Sequence, residues 1–216
     1  MNKNLTHQKD EWQGIWRRTG FLTLLVNTGR GAYNAFFRRY LRRFIRKETR
    51  FLELGCGTAT LMLSIADEVK EVVGIDISEA ALELSREEAR KTGVTNSRFE
   101  IGDCLNLHYQ DEFDIVWSQG LMEHFDKPEK VAREHYKATA PGGMTLISVP
   151  YKYSYHALWY KLTRPKPLQF LWPWTDMILL DKKRLLDIGK KITPKARVVF
   201  LRPFPLGIAI LELPKR

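Results

Sequence analysis

The sequence predicts an α/β fold: a doubly wound, mostly parallel seven-stranded sheet with an antiparallel C-terminal strand pair and a helical, aromatic lid. Three observations carry this expectation. Short apolar runs alternate with stretches of helical periodicity through the middle of the chain. The first of those runs ends in a glycine turn that opens a helix. The last two runs are separated by a turn too short for a crossover, so they must pair antiparallel. The chain of 216 residues has the length of a single domain. Within it the sequence marks a helical cap at 1–47, a core at 48–150, a basic aromatic insertion at 151–180 and a closing helix with two strands at 181–216.

The elements follow in order. Arg50–Leu54 is a short apolar run ending in glycines, and Thr60 to Val69 has helical spacing. Glu71–Ile75 reads as a buried strand closed by Asp76. Ser78 is an N-cap for a helix over Glu79–Lys91, and Gly93 is its stop. Arg98–Ile101 and Phe113–Trp117 are the third and fourth strands. Asp126 and Pro128 start a helix running to Ala138, with proline in the first turn, where its missing N–H costs little. The turn Pro141-Gly142-Gly143 leads into a fifth strand, Met144–Val149. After Pro150 the composition shifts to aromatics, Lys and Pro. A helix at Asp181–Lys191 then precedes strands at Ala196–Leu201 and Ile208–Leu213, joined by a Pro/Gly turn at 203–207.

Composition excludes several classes. Hydrophobic residues make up 44% and charged residues 28%, which disfavours a disordered or collagen-like chain. No apolar run suggests a membrane span and the polar start does not resemble a secretory signal, so a cytoplasmic location is expected. The two cysteines, Cys56 and Cys104, form neither a disulfide framework nor a CxxC zinc site, and no metal is expected. The net charge of +10 is unevenly spread. Residues 1–50 carry 12 basic and 3 acidic side chains, residues 51–150 carry 9 and 18, and residues 151–216 carry 14 and 4. An acidic middle between basic flanks suggests different tasks for each.

The stretch FLELGCGTAT at 51–60 is the most informative. A strand followed by Gly55-x-Gly57 and a helix lets a nucleotide-like ligand approach the backbone at the helix N-terminus. By itself the pattern is also what an ordinary turn would show. Asp76 lies 19 positions beyond Gly57, near the spacing at which a carboxylate meets ribose hydroxyls, and Asp103 closes the third strand within reach of an adenine amine. Each could also be a helix cap or a solvated strand end. A dinucleotide fingerprint would have glycine where this chain has Thr60. Glu53, before the loop, would repel a pyrophosphate but suits a ligand bearing an ammonium group and a cationic sulfur.

Residues 51–57 resemble the Glu-x-Gly-x-Gly motif of class I S-adenosylmethionine-dependent methyltransferases. VVGIDIS at 72–78, FEIGDCLNL at 99–107, FDIVWSQGLMEHF at 113–125 and ATAPGGMTLISVP at 138–150 are similar to the family's later motifs, in the same order. The run GLMEHF followed by KPEKVAREHYKATAPGG looks most like the small-molecule branch that includes quinone-biosynthesis methyltransferases. The resemblance implies a Rossmann-like fold and S-adenosyl-L-methionine as cofactor. It implies that Glu53, Gly55 and Gly57 border the methionine portion, that Asp76 binds ribose, and that Asp103 with the backbone of Cys104 holds adenine. Ser118 and Gln119 would lie near the sulfonium. Cys56, Thr58 and Ile77 complete the expected cofactor set. Where the family often has a third glycine, this chain has Ala59.

The flanks would choose the acceptor. Residues 33–47 place Tyr33, Phe36, Phe37, Tyr40, Leu41, Phe44 and Ile45 on one helical stripe and Arg38, Arg39, Arg42, Arg43, Arg46 and Lys47 opposite. Such a helix is either a docked cap or a peripheral contact with an anionic membrane. The insertion holds Tyr151, Tyr153, Tyr155, Trp159, Tyr160, Phe170, Trp172 and Trp174, with Lys152, Lys161, Arg164 and Lys166. It reads as a lid over a small, partly apolar, anionic acceptor, lipid-, quinone- or prenyl-like, or as a satellite core. An RNA or protein acceptor is the alternative. SQGL after the fourth strand is not the Asn/Asp-Pro-Pro-aromatic tetrad of amino-methylating nucleic-acid enzymes, so nucleic acid is disfavoured. A non-catalytic interaction module is a second alternative. If the acceptor keeps its proton, a base is required. His124 is the first candidate, with a capping role as its alternative, and Tyr155 and His156 are the next. His108 and His135 read as loop and helix-surface residues. Trp16, Arg30 and Tyr33 stand where they could close over the methionine end.

Overall fold

A computed structural model describes residues 10–14, 16, 34–163, 176–201 and 207–216. Seven strands form one sheet: β1 (Arg50–Leu54), β2 (Glu71–Asp76), β3 (Ser97–Ile101), β4 (Phe113–Gln119), β5 (Thr139–Pro150), β6 (Arg197–Leu201) and β7 (Ile208–Pro214). Their order is β3-β2-β1-β4-β5-β7-β6. The first five run parallel, and β7 pairs antiparallel with both β5 and β6. The chain winds outward from β1 to β3, then returns to β4 on the other side of β1. That reversal opens a crevice beyond the carboxyl ends of β1 and β4, where doubly wound sheets hold their ligands.

Strand residues are buried on both faces because helices cover the sheet, so β1, β2 and β4 read as nearly continuous apolar runs. Alternation sends Phe51 and Trp117 into a core with Phe37, Leu41 and Met62. It sends Leu52, Leu54 and Val116 into one with Phe113 and Val73. A third cluster joins Met122, Val131, Ile147, Leu185 and Leu211.

Residues 10–14 and 16 are helical, and six further helices belong to the described residues: α1 (residues 34–41), α2 (Thr60–Ser64), α3 (Glu79–Thr92), α4 (Pro128–Ala138), α5 (Tyr155–Thr163) and α6 (Lys182–Lys190). The expected caps are present. Ser78 Oγ accepts from Ala81 N at 3.3 Å, and Gly93 takes the left-handed conformation at φ 70°. Asp181 is the N-cap of α6 rather than its first residue, and its carboxylate accepts from Arg184 N at 2.9 Å.

Other expectations need correction. The helix predicted from Thr60 to Val69 breaks after one turn into a 3-10 segment, Ala66–Glu68. Ser64 Oγ bonds back to Leu61 O at 2.7 Å, and Ile65 N donates to Met62 O, which tightens the turn. The Pro141-Gly142-Gly143 turn is absorbed into β5, whose pairing with β4 shifts register between Phe113 and Ile115. His135 was expected on the helix surface but is fully buried, because α4 turns Val131, Ala132, His135 and Ala138 toward the sheet.

The helix expected over 33–47 ends at Leu41, where the chain passes into turns, and it is a docked cap with Ile45 just beyond its end. Phe37, Tyr40, Leu41 and Ile45 are buried, and the Tyr40 hydroxyl donates to Glu212 in β7. Arg38 and Arg42 both pair with Glu68, and Arg43 stacks over Tyr40 and Phe44. Phe36 departs from the predicted stripe and is exposed. Tyr33, like Arg30, lies outside the described residues, as do Arg164, Lys166, Phe170, Trp172 and Trp174 in the insertion. No helix among the described residues is long and apolar enough to cross a membrane.

Candidate active site

The β1–α2 loop is shaped by left-handed backbone. Gly55, Gly57 and Ala59 have φ of 66°, 56° and 55°. Gly55 N and Cys56 N donate to Ile75 O, tying the loop to β2. A Cβ at Gly55 would meet Leu121 at 2.9 Å, and one at Gly57 would meet the Trp16 ring at 2.8 Å. Both positions therefore need glycine, for conformation and for space. Ala59 adopts the left-handed turn that ends the loop, at the strain cost a non-glycine residue bears there.

Asp76 organises this loop. Its Oδ2 accepts from Gly57 N and its Oδ1 from Ser78 N, each at 2.9 Å. Burial raises its pKa, and the amide donors oppose that shift. Ser85 Oγ donates to Gly57 O at 2.6 Å, fixing the loop from α3. Thr58 and Ile77 are half-buried beside these groups. Glu53 is buried at the end of β1 and lines a pocket with Asn34, Gly55, Cys56, Thr60, Leu61 and Gln119. Asn34 Nδ2 donates to Thr60 Oγ1 at 2.9 Å, which anchors α1 to the start of α2.

Asp103 follows β3. Its Oδ1 accepts from Leu105 N at 2.9 Å, so the Asp103–Asn106 turn is locally braced. Cys104 is buried next to it. Burial, then the Asp103 charge, pushes its thiol up, and burial with Asp76 and Glu53 does the same to Cys56. Both cysteines are protonated thiols at neutral pH and unsuited to nucleophilic work.

Ser118 is fully buried near the end of β4, and Gln119 reaches the pocket. The chain then turns at Gly120, φ 66°, into a 3-10 segment, Met122–His124. His124 Nδ1 lies 2.9 Å from the Asp176 carbonyl. In that geometry Nδ1 carries the proton and Nε2 is the basic nitrogen. The Trp12 ring packs edge-on against His124, with centroids 5.2 Å apart. Trp12 and Trp16 stand one helical turn apart, one against His124 and the other over Gly57.

The insertion contributes unevenly. Tyr160 is buried; its hydroxyl donates to Asp176 Oδ1 at 3.2 Å and accepts from Met177 N. Asp176 thus joins Tyr160 to His124. His156 is half-buried, and burial lowers its pKa, keeping the ring neutral. Tyr155 lies on the outward, exposed face of α5. Tyr151 packs on Phe200 in β6, 4.7 Å between centroids.

Sequence reasoning missed four residues here: Trp12, Asn34, Asp176 and Glu123. Glu123 is buried among Leu121, Met122 and Phe125 in the run LMEHF, and burial pushes its carboxyl up to about 8. An acid inside such a run was its signal, and the four-residue spacing of the two tryptophans was that of Trp12.

A cleft at the switch point, with a glycine loop on one wall and carboxylates at the tips of β1 and β2, defines an α/β protein built for an adenosine-type ligand carrying positive charge. Residues 45–174 match the family described as methyltransferase domain, and the chain belongs to that family, whose cofactor is S-adenosylmethionine. It is 30% identical over 103 residues to the uncharacterized methyltransferase YcgJ of Bacillus subtilis, 47% of this chain and 41% of that one. To demethylmenaquinone methyltransferase of Geobacillus kaustophilus it is 30% identical over 139 residues, 57% of this chain and 59% of that one. The chain therefore spans less than two thirds of either relative. Its fold is similar to that of magnesium protoporphyrin IX methyltransferase from Synechocystis, with TM-score 0.69 at 16% identity, covering 96% of this chain and 94% of that one.

The residues present fit the family's cofactor. The glycine loop lets other groups approach its backbone closely, and Glu53, lining the pocket, offers a carboxylate for the methionine ammonium group.

Proposed function

We propose that this protein transfers the methyl group of S-adenosylmethionine to a small, partly apolar, anionic acceptor of lipid-, quinone- or prenyl-like kind. The observation that carries the acceptor reading is His124, with its tautomer set by the Asp176 carbonyl and its ring walled by Trp12, just beyond β4.

When bound, the cofactor supplies a methyl group already activated on a sulfonium. What is left to the chain is alignment and exclusion of water, a proximity effect worth several kcal/mol. Glu53 and the loop amides would hold the methionine end, Asp76 the ribose and Asp103 the adenine. His124 Nε2 would take the proton of a phenol-like hydroxyl, which keeps it at neutral pH. The apolar neighbours Trp12, Leu121 and Met122 suit an aromatic or prenylated acceptor, and the relative named demethylmenaquinone methyltransferase supports a quinone-like one. Pairing of Arg38 and Arg42 with Glu68 reduces the basic surface open to an acidic polymer and weighs against RNA.

Incubation with methyl-labelled cofactor and separate lipid, RNA and protein extracts tests this. Label is expected in the lipid-soluble fraction, with His124→Ala lowering transfer by about a hundredfold. Label in RNA alone would contradict the proposal.

A further inference from the structure

The basic helix at the N-terminal side has its aromatic stripe buried, yet a second helix presents the opposite arrangement. On α5, Ala157, Tyr160 and Thr163 face inward, while Tyr155, Leu158, Trp159 and Leu162 face outward. Leu158 is 50% exposed, Trp159 42% and Leu162 56%, and Tyr153, just before the helix, is 70% exposed. Helical spacing puts 155, 158, 159 and 162 on one stripe. A solvent-facing helix stripe is normally polar, so this one is amphipathic in the wrong sense for water.

The helix is nonetheless firmly seated. Ser154 Oγ caps it by accepting from Ala157 N at 3.2 Å, and Tyr160 ties it to Asp176 and Met177. The outward stripe therefore belongs to a docked helix. The stretch 151–175 contains Lys152, Lys161, Arg164 and Lys166 and no Asp or Glu. Lys152 pairs with Asp181, whereas Lys161 lies on α5 itself, and an apolar stripe holding Trp and Tyr in a stretch whose own charges are all cationic matches the chemistry of an anionic bilayer surface. Rings and leucines enter the headgroup region while lysine ammonium groups remain at phosphate level.

We infer that α5 is a membrane-docking element whose outward stripe inserts into the interfacial layer of an anionic bilayer. This does not depend on which acceptor is methylated.

The test is sedimentation of the full chain with vesicles of phosphatidylcholine alone or mixed with phosphatidylglycerol. Binding to the mixed vesicles is expected, stronger at low than at high salt. The double variant Leu158→Asp, Leu162→Asp is expected to lose at least about tenfold in partitioning. Both positions are exposed, and unchanged S-adenosylhomocysteine affinity would show that the variant is folded. Equal partitioning of the double variant, or no binding of the unmodified chain to anionic vesicles, would overturn the inference. So would a dimer in solution that the double variant dissociates, because the stripe would then belong to a second copy. Failure of the unmodified chain to bind S-adenosylhomocysteine bears on the cofactor reading, whereas the vesicle result bears on α5.

Discussion

Glu123 and His135 are buried ionisable groups that pull stability in opposite directions with pH. Burial lowers the His135 pKa to about 4, against 6.5 unfolded. The stability its neutral form contributes is present above 6.5 and is lost as pH falls through 4, about 3 kcal/mol in all. Burial raises the Glu123 pKa to about 8, against 4.5 unfolded. Its contribution is fully present below 4.5 and is lost as pH rises through 8. Between 4.5 and 6.5 the two slopes oppose each other, and above 6.5 Glu123 acts alone. Denaturant titrations should therefore show stability falling by about 2 kcal/mol from pH 6.5 to 8. In Glu123→Gln this decline should disappear; its persistence would mean that another group, not Glu123, is its source. Both residues were misjudged from sequence. His135 was read as exposed although it lies on the apolar spacing of α4, and Glu123 was passed over for its neighbour His124. A residue's charge class says little about burial when helix rotation decides it.

At the scale of elements, two contacts fix how α1 and β5 attach to the sheet. Glu212 is fully buried in β7 and takes the Tyr40 hydroxyl from above and Arg197 from the neighbouring strand. Tyr40→Phe removes one donor from a buried carboxylate and should cost about 1–3 kcal/mol in urea unfolding. A loss within error would mean that Arg197 alone satisfies the carboxylate. Gly143 sits where β5 bulges against β4. A Cβ there would lie 2.6 Å from Asp114 O, so Gly143→Ala must displace backbone and should lower stability by more than about 1 kcal/mol. Most strands were legible within a residue or two, because turn residues bound apolar runs such as Arg50–Leu54. The bulge was not, since Pro141-Gly142-Gly143 has the composition of a turn whether or not its flanks remain paired. Nor was the break after Ser64, which depends on a hydroxyl bonding backward instead of outward.

For the molecule as a whole, motif order and the parallel-then-antiparallel sheet were legible from the chain, and the acids at the ends of β1, β2 and β3 come to one edge of it. The division of labour between the basic flanks was not. Periodicity gives residues 33–47 an amphipathic stripe, but only three-dimensional docking shows that Phe37, Tyr40 and Leu41 are core while the stripe of α5 faces outward. The cleft beyond β1 and β4 is expected to hold S-adenosylmethionine, and calorimetric titration with S-adenosylhomocysteine tests this most directly. The unmodified chain should bind, and Asp76→Ala should weaken binding at least about tenfold, because the Gly57 and Ser78 amides lose the carboxylate that fixes the loop. No heat from the unmodified chain, or equal affinity in a folded Asp76→Ala variant, would contradict it.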